Sequence, residues 1–151
     1  MITDKTFKTG DQFVVTPNAT FGDDACKEKA MPPRLSFQAH SAPISAAFDG
    51  TAENMYVTLH GSWDRTPPTG YKLVEIPFKR NEDGTYEPVA AADSREGYKD
   101  ILSNKDVTTC GGFGAAGACF RPAAVVWDSN NARLVVSSDA QQGELYIMAK
   151  A

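Results

Sequence analysis

Short stretches of alternating apolar and polar residues recur through the middle and end of this chain, each closed by a turn. Residues 35–39 alternate, and 44–48, 55–59 and 71–78 follow as further short strands separated by turn residues. Asp49-Gly50 marks a hairpin turn, Thr66-Pro67-Pro68-Thr69-Gly70 a longer loop and Asn81-Glu82-Asp83-Gly84 another turn. The pattern predicts a meander of antiparallel strands. Residues 1–35 carry less: one apolar run at Phe13-Val14-Val15, a turn-like Pro17-Asn18-Ala19-Thr20, and a polar segment 23–29 after which Pro32-Pro33 stops any helix. A short helix is predicted around residues 95–102.

The last third repeats the middle. Pro43-Ile44-Ser45-Ala46-Ala47-Phe48-Asp49 lines up with Pro122-Ala123-Ala124-Val125-Val126-Trp127-Asp128, 79 residues later. Each is followed by a polar turn and a β-rich run, residues 55–60 against 133–138, and then by a third strand, 71–78 against 144–148. Repeated units of short antiparallel strands are the signature of β-propeller blades. The spacing is nearly twice that of a usual blade, so the connection 80–118 must hold an outer strand and an insertion. The expected architecture is all-β, with blade-like repeats at about 35–80 and 119–151 and an insertion at 81–118. Two blades cannot close a ring, so this is expected to be the C-terminal portion of one propeller domain whose N-terminal blades are absent, with sheet surface and edges left open.

Composition narrows the class. With 151 residues and 42% hydrophobic content the chain can bury one core, alone or within a larger domain. A net charge of −4 without a basic stripe argues against nucleic acid or a membrane as partner. The apolar runs, such as residues 123–127, are far too short to span a bilayer, and Met1-Ile2-Thr3-Asp4-Lys5 is not a secretory signal. The chain is therefore cytosolic, or a mature or internal piece. Asn18-Ala19-Thr20 fits the N-glycosylation pattern, which is common by chance and has meaning only in a secreted protein. Cys26, Cys110 and Cys119 make an odd count that suggests a partner elsewhere.

The richest chemistry lies in His60-Gly61-Ser62-Trp63-Asp64-Arg65, at the mouth of a strand. Indole, guanidinium and imidazole together suit a flat anionic ligand. The alternative is a buried tryptophan with a surface arginine at a strand end. In a propeller the loops of one face converge on the channel, so residues before each inner strand and after each second strand can meet. That adds His40 and Arg121 to His60, Trp63 and Arg65 as candidates. The competing readings are a strand-end His40 bonded to backbone and an Arg121 engaged in a surface or interblade ion pair.

Gln38-Ala39-His40-Ser41-Ala42-Pro43, the stretch His60–Arg65 with Pro68-Thr69-Gly70-Tyr71-Lys72, Cys119-Phe120-Arg121-Pro122 and Ser137-Ser138-Asp139-Ala140 carry a resemblance. They resemble the C-terminal part of sugar dehydrogenases that depend on pyrroloquinoline quinone (PQQ), most nearly the sorbosone dehydrogenase and fungal pyranose dehydrogenase branch. The resemblance runs from about Thr9 to the end, with Asp64 standing where asparagine is more usual. It implies a six-bladed propeller, roughly twice this length or more, that oxidises sugars and passes electrons to an acceptor such as a cytochrome or quinone.

PQQ is a planar ortho-quinone with three carboxylates, and a site for it needs cations and a flat or apolar surface. The resemblance casts Arg65 and Arg121 as carboxylate partners, Trp63 as a packing surface, and His60 and His40 as contacts at the cofactor's rim. A general-base histidine and calcium ligands are expected upstream of this chain, so no catalytic residue is assigned here. Cys110 and Cys119 flank a stretch of small residues, 111–118, that a disulfide would close; the alternative is two free thiols. Cys26 would pair upstream, and both bridges suit an extracellular, oxidising compartment. Two other functions stay open: a non-enzymatic propeller serving as binding or scaffold module, and a calcium-dependent lactonase-type propeller, for which clustered carboxylates are lacking.

Overall fold

The structure, a computed structural model, describes residues 6–111, 119–140 and 142–149. Most of the small-residue stretch, 112–118, and residues 1–5 lie outside the described residues. Strands β1 (Pro43–Phe48), β2 (Asn54–Leu59) and β3 (Lys72–Arg80) lie side by side and antiparallel, as the meander predicts. The far flank of β3 is shared by β4 (Tyr86–Pro88) at one end and β5 (Lys99–Ser103) at the other. A second antiparallel sheet follows, β6 (Pro122–Trp127), β7 (Arg133–Ser138) and β8 (Glu144–Ala149).

The two sheets are copies down to individual hydrogen bonds. In the first, Pro43 pairs with Leu59 and Ser45 with Thr58, so a bulge lies between. In the second, Pro122 pairs with Ser138 and Ala124 with Ser137, with the same shift. A bulge disrupts the ladder locally and leaves backbone groups in need of another partner. A hydroxyl on the neighbouring strand supplies it in both sheets: Ser45 N donates to Thr58 Oγ1 at 3.1 Å, and Ala124 N to Ser137 Oγ at 3.0 Å. The hairpins match as well. Asp49 N donates to Asn54 O at 3.0 Å and Asp128 N to Arg133 O at 2.9 Å. Each carboxylate turns back to take amides of its own turn, Glu53 N at 3.1 Å for Asp49 and Ala132 N at 2.8 Å for Asp128.

The sheets pack face to face, β6 against β1 and β2. Tyr56, Leu73, Val125, Leu134 and Val136 are buried between them, with Trp127 edge-on to Tyr56 at 5.3 Å. Val125 N crosses the interface to donate to Ser45 Oγ at 3.2 Å. Because side chains alternate along a strand, the opposite face of the first sheet must bury a second set. Val57, Leu59, Val74 and Ile76 are that set, covered by Leu35, Phe37 and Tyr98. The outer face of the second sheet stays open, with Val126, Leu145 and Ile147 all more than half exposed.

Two expected elements take another form. Residues 35–39 form no strand. Their alternation reflects Leu35 and Phe37 leaning on the first sheet from a segment that has no ladder partner. The helix expected at 95–102 is instead the strand β5, drawn onto the free flank of β3, where Ile101 and Leu102 reach the core between the sheets. Tertiary pairing overrides local propensity there. One helix forms where none was assigned, α1 (Asp23–Lys29), with Asp23 and Asp24 in its first turn and Lys27 and Lys29 in its last, each suited to the helix dipole.

Burial pushes the Asp49 carboxyl up, but hydrogen bonds from Asn54, Thr51 and Glu53 outweigh it and hold the group below its ordinary value. The amides of Ala132 and Arg133 lower Asp128 likewise. A carboxyl depressed in the folded state contributes stability that is present above the unfolded value, about 3.9, and lost as pH falls. Denaturant midpoints are therefore expected to drop between about pH 5 and about pH 2. Asp49→Asn should lower the midpoint at neutral pH and flatten its pH dependence. An unchanged slope would remove Asp49 as a source of that dependence.

Candidate functional site

Both strand pairs end alike at the edge nearest their bulges. His60 N donates to Ala42 O at 2.9 Å after β2, and Asp139 N donates to Arg121 O at 3.1 Å after β7. His60 and Asp139 hold the same position in the two repeats, as do Ala42 and Arg121. Packing of β6 on β1 brings these ends together. His60 Nε2 lies 2.9 Å from both carboxylate oxygens of Asp139. Arg121 Nη2 lies 3.2 Å from His60 Nδ1, and Arg121 Nε is 3.5 Å from Asp139 Oδ1. The carboxylate takes the N–H of Nε2, which leaves Nδ1 as the lone-pair face turned to the guanidinium. Arg121 Nε is buried and meets no hydrogen-bond acceptor; at 3.5 Å Asp139 attracts it as a charge without hydrogen-bond geometry.

The loop after His60 is rigid for a packing reason. Gly61 has φ +106°, and a Cβ there would stand 2.5 Å from the ring of Tyr71. Its amide donates to Ser41 O at 3.1 Å. Tyr71 is buried, and its hydroxyl donates to the Ser62 carbonyl. Burial pushes that hydroxyl's pKa up against the opposing charge of Arg121, so it stays a donor. Ser62 and Thr69 close the loop with two bonds of 2.9 Å, Ser62 N to Thr69 O and Thr69 N to Ser62 Oγ.

Behind Tyr71 lies the expected disulfide, Cys110–Cys119, with a Cα separation of 5.6 Å. A bridge of this short span removes about 2–3 kcal/mol of unfolded-chain entropy. Asn104 completes the clamp. Its side chain donates to Tyr71 O at 3.0 Å and Phe120 O at 2.9 Å and accepts from Phe120 N at 2.9 Å, fixing the backbone just before Arg121. Cys26 forms no disulfide among the described residues.

The predicted site residues thus fall into two groups. His60 and Arg121 meet. His40 instead binds Asp64, Nδ1 to Oδ1 at 3.0 Å, and Arg65 donates from Nη1 to Ala39 O at 3.3 Å. His40 and Ala42 both have positive φ, 67° and 53°, so the turn around buried Ser41 is held in a conformation that L residues seldom adopt. Arg65 lines a groove of about 880 Å³ with Phe37, Gln38, Lys72 and Tyr98. Among the described residues no hydrogen bond or ion pair joins Arg65 to His60 or Arg121. Trp63 is 62% exposed, which removes the reading of a buried tryptophan. The ion-pair reading of Arg121 is realised, with Asp139 as its partner. Asp139 and Asn104 were not assigned as site residues. Asp139 was accessible through the repeat offset from His60, whereas nothing in the sequence marks Asn104.

Among the described residues no three His, Cys, Asp or Glu side chains cluster to hold a metal, and no helix is long and apolar enough to cross a membrane. The cluster can hold an anion at Arg121 beside a polar imidazole edge.

The whole chain, residues 1–151, matches the TrAA12-like family model, and it belongs to that family. A pyrroloquinoline quinone-dependent pyranose dehydrogenase of Coprinopsis cinerea is 39% identical over 150 residues, 98% of this chain and 20% of the relative. A pyrroloquinoline quinone-dependent sugar dehydrogenase of Hypocrea jecorina (strain QM6a) is 32% identical over 146 residues, 95% of this chain and 29% of the relative. Among solved structures, the holo form of the pyranose dehydrogenase PQQ domain from Coprinopsis cinerea superposes with a TM-score of 0.82 at 39% identity, covering 98% of this chain and 36% of that one. The calcium structure of a Trichoderma reesei family AA12 enzyme gives 0.77 at 32% identity, covering 95% and 33%. The chain spans 20–29% of the length of these curated relatives.

Gly61→Ala is expected to destabilise the protein by roughly 1–3 kcal/mol, from left-handed strain and displacement of Tyr71. Thermal unfolding checks it; an unchanged Tm would show that the loop repacks freely.

Proposed function

We propose that this chain is part of a quinoprotein oxidoreductase that oxidises sugars by hydride transfer to PQQ, and that it supplies one wall of the cofactor site. The observation that carries this reading is the convergence of His60 and Arg121 in a chain 39% identical to a PQQ-dependent pyranose dehydrogenase. The buried, unmatched Nε of Arg121 supports the fit, because a guanidinium with spare donors suits a ligand bearing several carboxylates. When bound, PQQ supplies the electron-accepting quinone. Arg121 holds a carboxylate, His60 gives a polar contact oriented by Asp139, and Trp63 offers an exposed aromatic face. Arg65 and His40 belong to the neighbouring turn, where they are tied to Ala39 O and Asp64.

Neither histidine is assigned as the general base. His60 faces Asp139 and Arg121 through its two nitrogens, and His40 is tied to Asp64. The base and the calcium ligands belong in this reading to the rest of a six-bladed propeller, which is also the partner that completes the ring. The sugar and an electron acceptor such as a cytochrome or quinone are the remaining partners. The Cys110–Cys119 bridge supports an extracellular location.

In the full-length protein, Arg121→Ala and Arg65→Ala should each weaken PQQ binding, by about 1.5–3 kcal/mol for a lost charge-assisted contact. Titration of the apoprotein with PQQ measures it. Unchanged affinity in both variants would make the arginines structural and defeat the proposed wall.

A further inference from the structure

The motif Asn18-Ala19-Thr20 plays no part in the site. It is the single Asn-x-Ser/Thr sequence in the chain, and its middle residue is not proline. All residues from 15 to 20 are exposed. The local geometry divides the two ends of the Asn18 amide. Oδ1 accepts from Thr20 N at 2.9 Å, from Thr20 Oγ1 at 3.0 Å and from Phe21 N at 2.8 Å. No hydrogen bond engages Nδ2 among the described residues, so the nitrogen is left to solvent while the oxygen is held.

Residues flanking this turn are exposed as well. Val15 is 72% exposed and Met31 73%, with Phe13 and Phe21 also more than a third exposed. Val15 and Phe21 each lie three residues from Asn18. The Cys110–Cys119 disulfide, which supports the secreted reading, suits the oxidising compartment in which such modification occurs.

We infer that Asn18 is an N-glycosylation site. The inference rests on the reading of the protein as secreted. In the modification Nδ2 of Asn18 forms a bond to the anomeric carbon of an oligosaccharide carried on a polyprenyl diphosphate. The bond from that carbon to the diphosphate breaks, its electron pair leaves with the diphosphate, and one amide proton is released.

The test directs the full chain into the secretory pathway of a eukaryotic host and recovers all translocated protein, from vesicles and medium alike. Peptide mass mapping is expected to find the Asn18 peptide carrying a glycan. An amidase that releases N-linked glycans should remove the glycan mass and leave an aspartate at position 18, so that the peptide is heavier than its sequence mass by the difference between an acid and an amide. Asn18→Gln and Thr20→Ala should each abolish the mass shift, and Thr20→Ser should retain it. An unmodified Asn18 peptide throughout the translocated protein overturns the proposal. Secretion is judged separately, by whether the protein reaches the medium with its disulfide formed, so the two readings fail independently.

Discussion

One backbone amide, displaced from its ladder by a bulge, organises this structure. At Ser45 in the first sheet and Ala124 in the second, the N–H turns from the neighbouring backbone to a hydroxyl, Thr58 Oγ1 or Ser137 Oγ. That exchange kinks the first strand of each sheet beside Pro43 and Pro122, whose missing N–H suits a position at a strand's start. The residues just outside the kink, Ala42 and Arg121, then take the amide of the residue following the second strand. Everything at the candidate site hangs from those two repeated contacts.

The consequence is a meeting between copies of one position. His60 and Asp139 are equivalent in the two repeats, yet one became an imidazole and the other a carboxylate, and they bond across the sheet interface. Arg121 joins them from the position that Ala42 holds in the first repeat. Clamping by Asn104 and the disulfide fixes the backbone on one side, and the Gly61–Tyr71 contact fixes it on the other. A cluster positioned this way pays little conformational entropy when it binds a ligand.

Much of this was legible in the residues because the repeat is local chemistry. Hairpins announce themselves through Asp49 and Asp128, whose carboxylates serve the turn, and the paired strands through alternation. The lost parts depend on distant neighbours. Residues 35–39 alternate like a strand because a sheet lies beneath them, not because a ladder partner lies alongside. Residues 99–103 pair with β3 because β4 is too short to cover its flank. For the site, His60 and Arg121 could be placed by their repeat positions. Arg65, inside a loop with no counterpart in the other repeat, could not, and it turns to Ala39 and the adjoining groove.

The bonding of His60 also bears on what this wall can do. A general base needs a free nitrogen lone pair within reach of a substrate hydroxyl. Nε2 of His60 is committed to Asp139, and Nδ1 is turned to the Arg121 guanidinium rather than to open space. Asp139 in turn offsets part of the charge on Arg121 without taking its Nε in a hydrogen bond. The trio therefore keeps a cation with open donors in a fixed place, while its imidazole is held in one tautomer. Such an arrangement suits recognition of an anionic planar ligand better than movement of protons, which is why the chain's two histidines fit a binding surface more readily than a catalytic one.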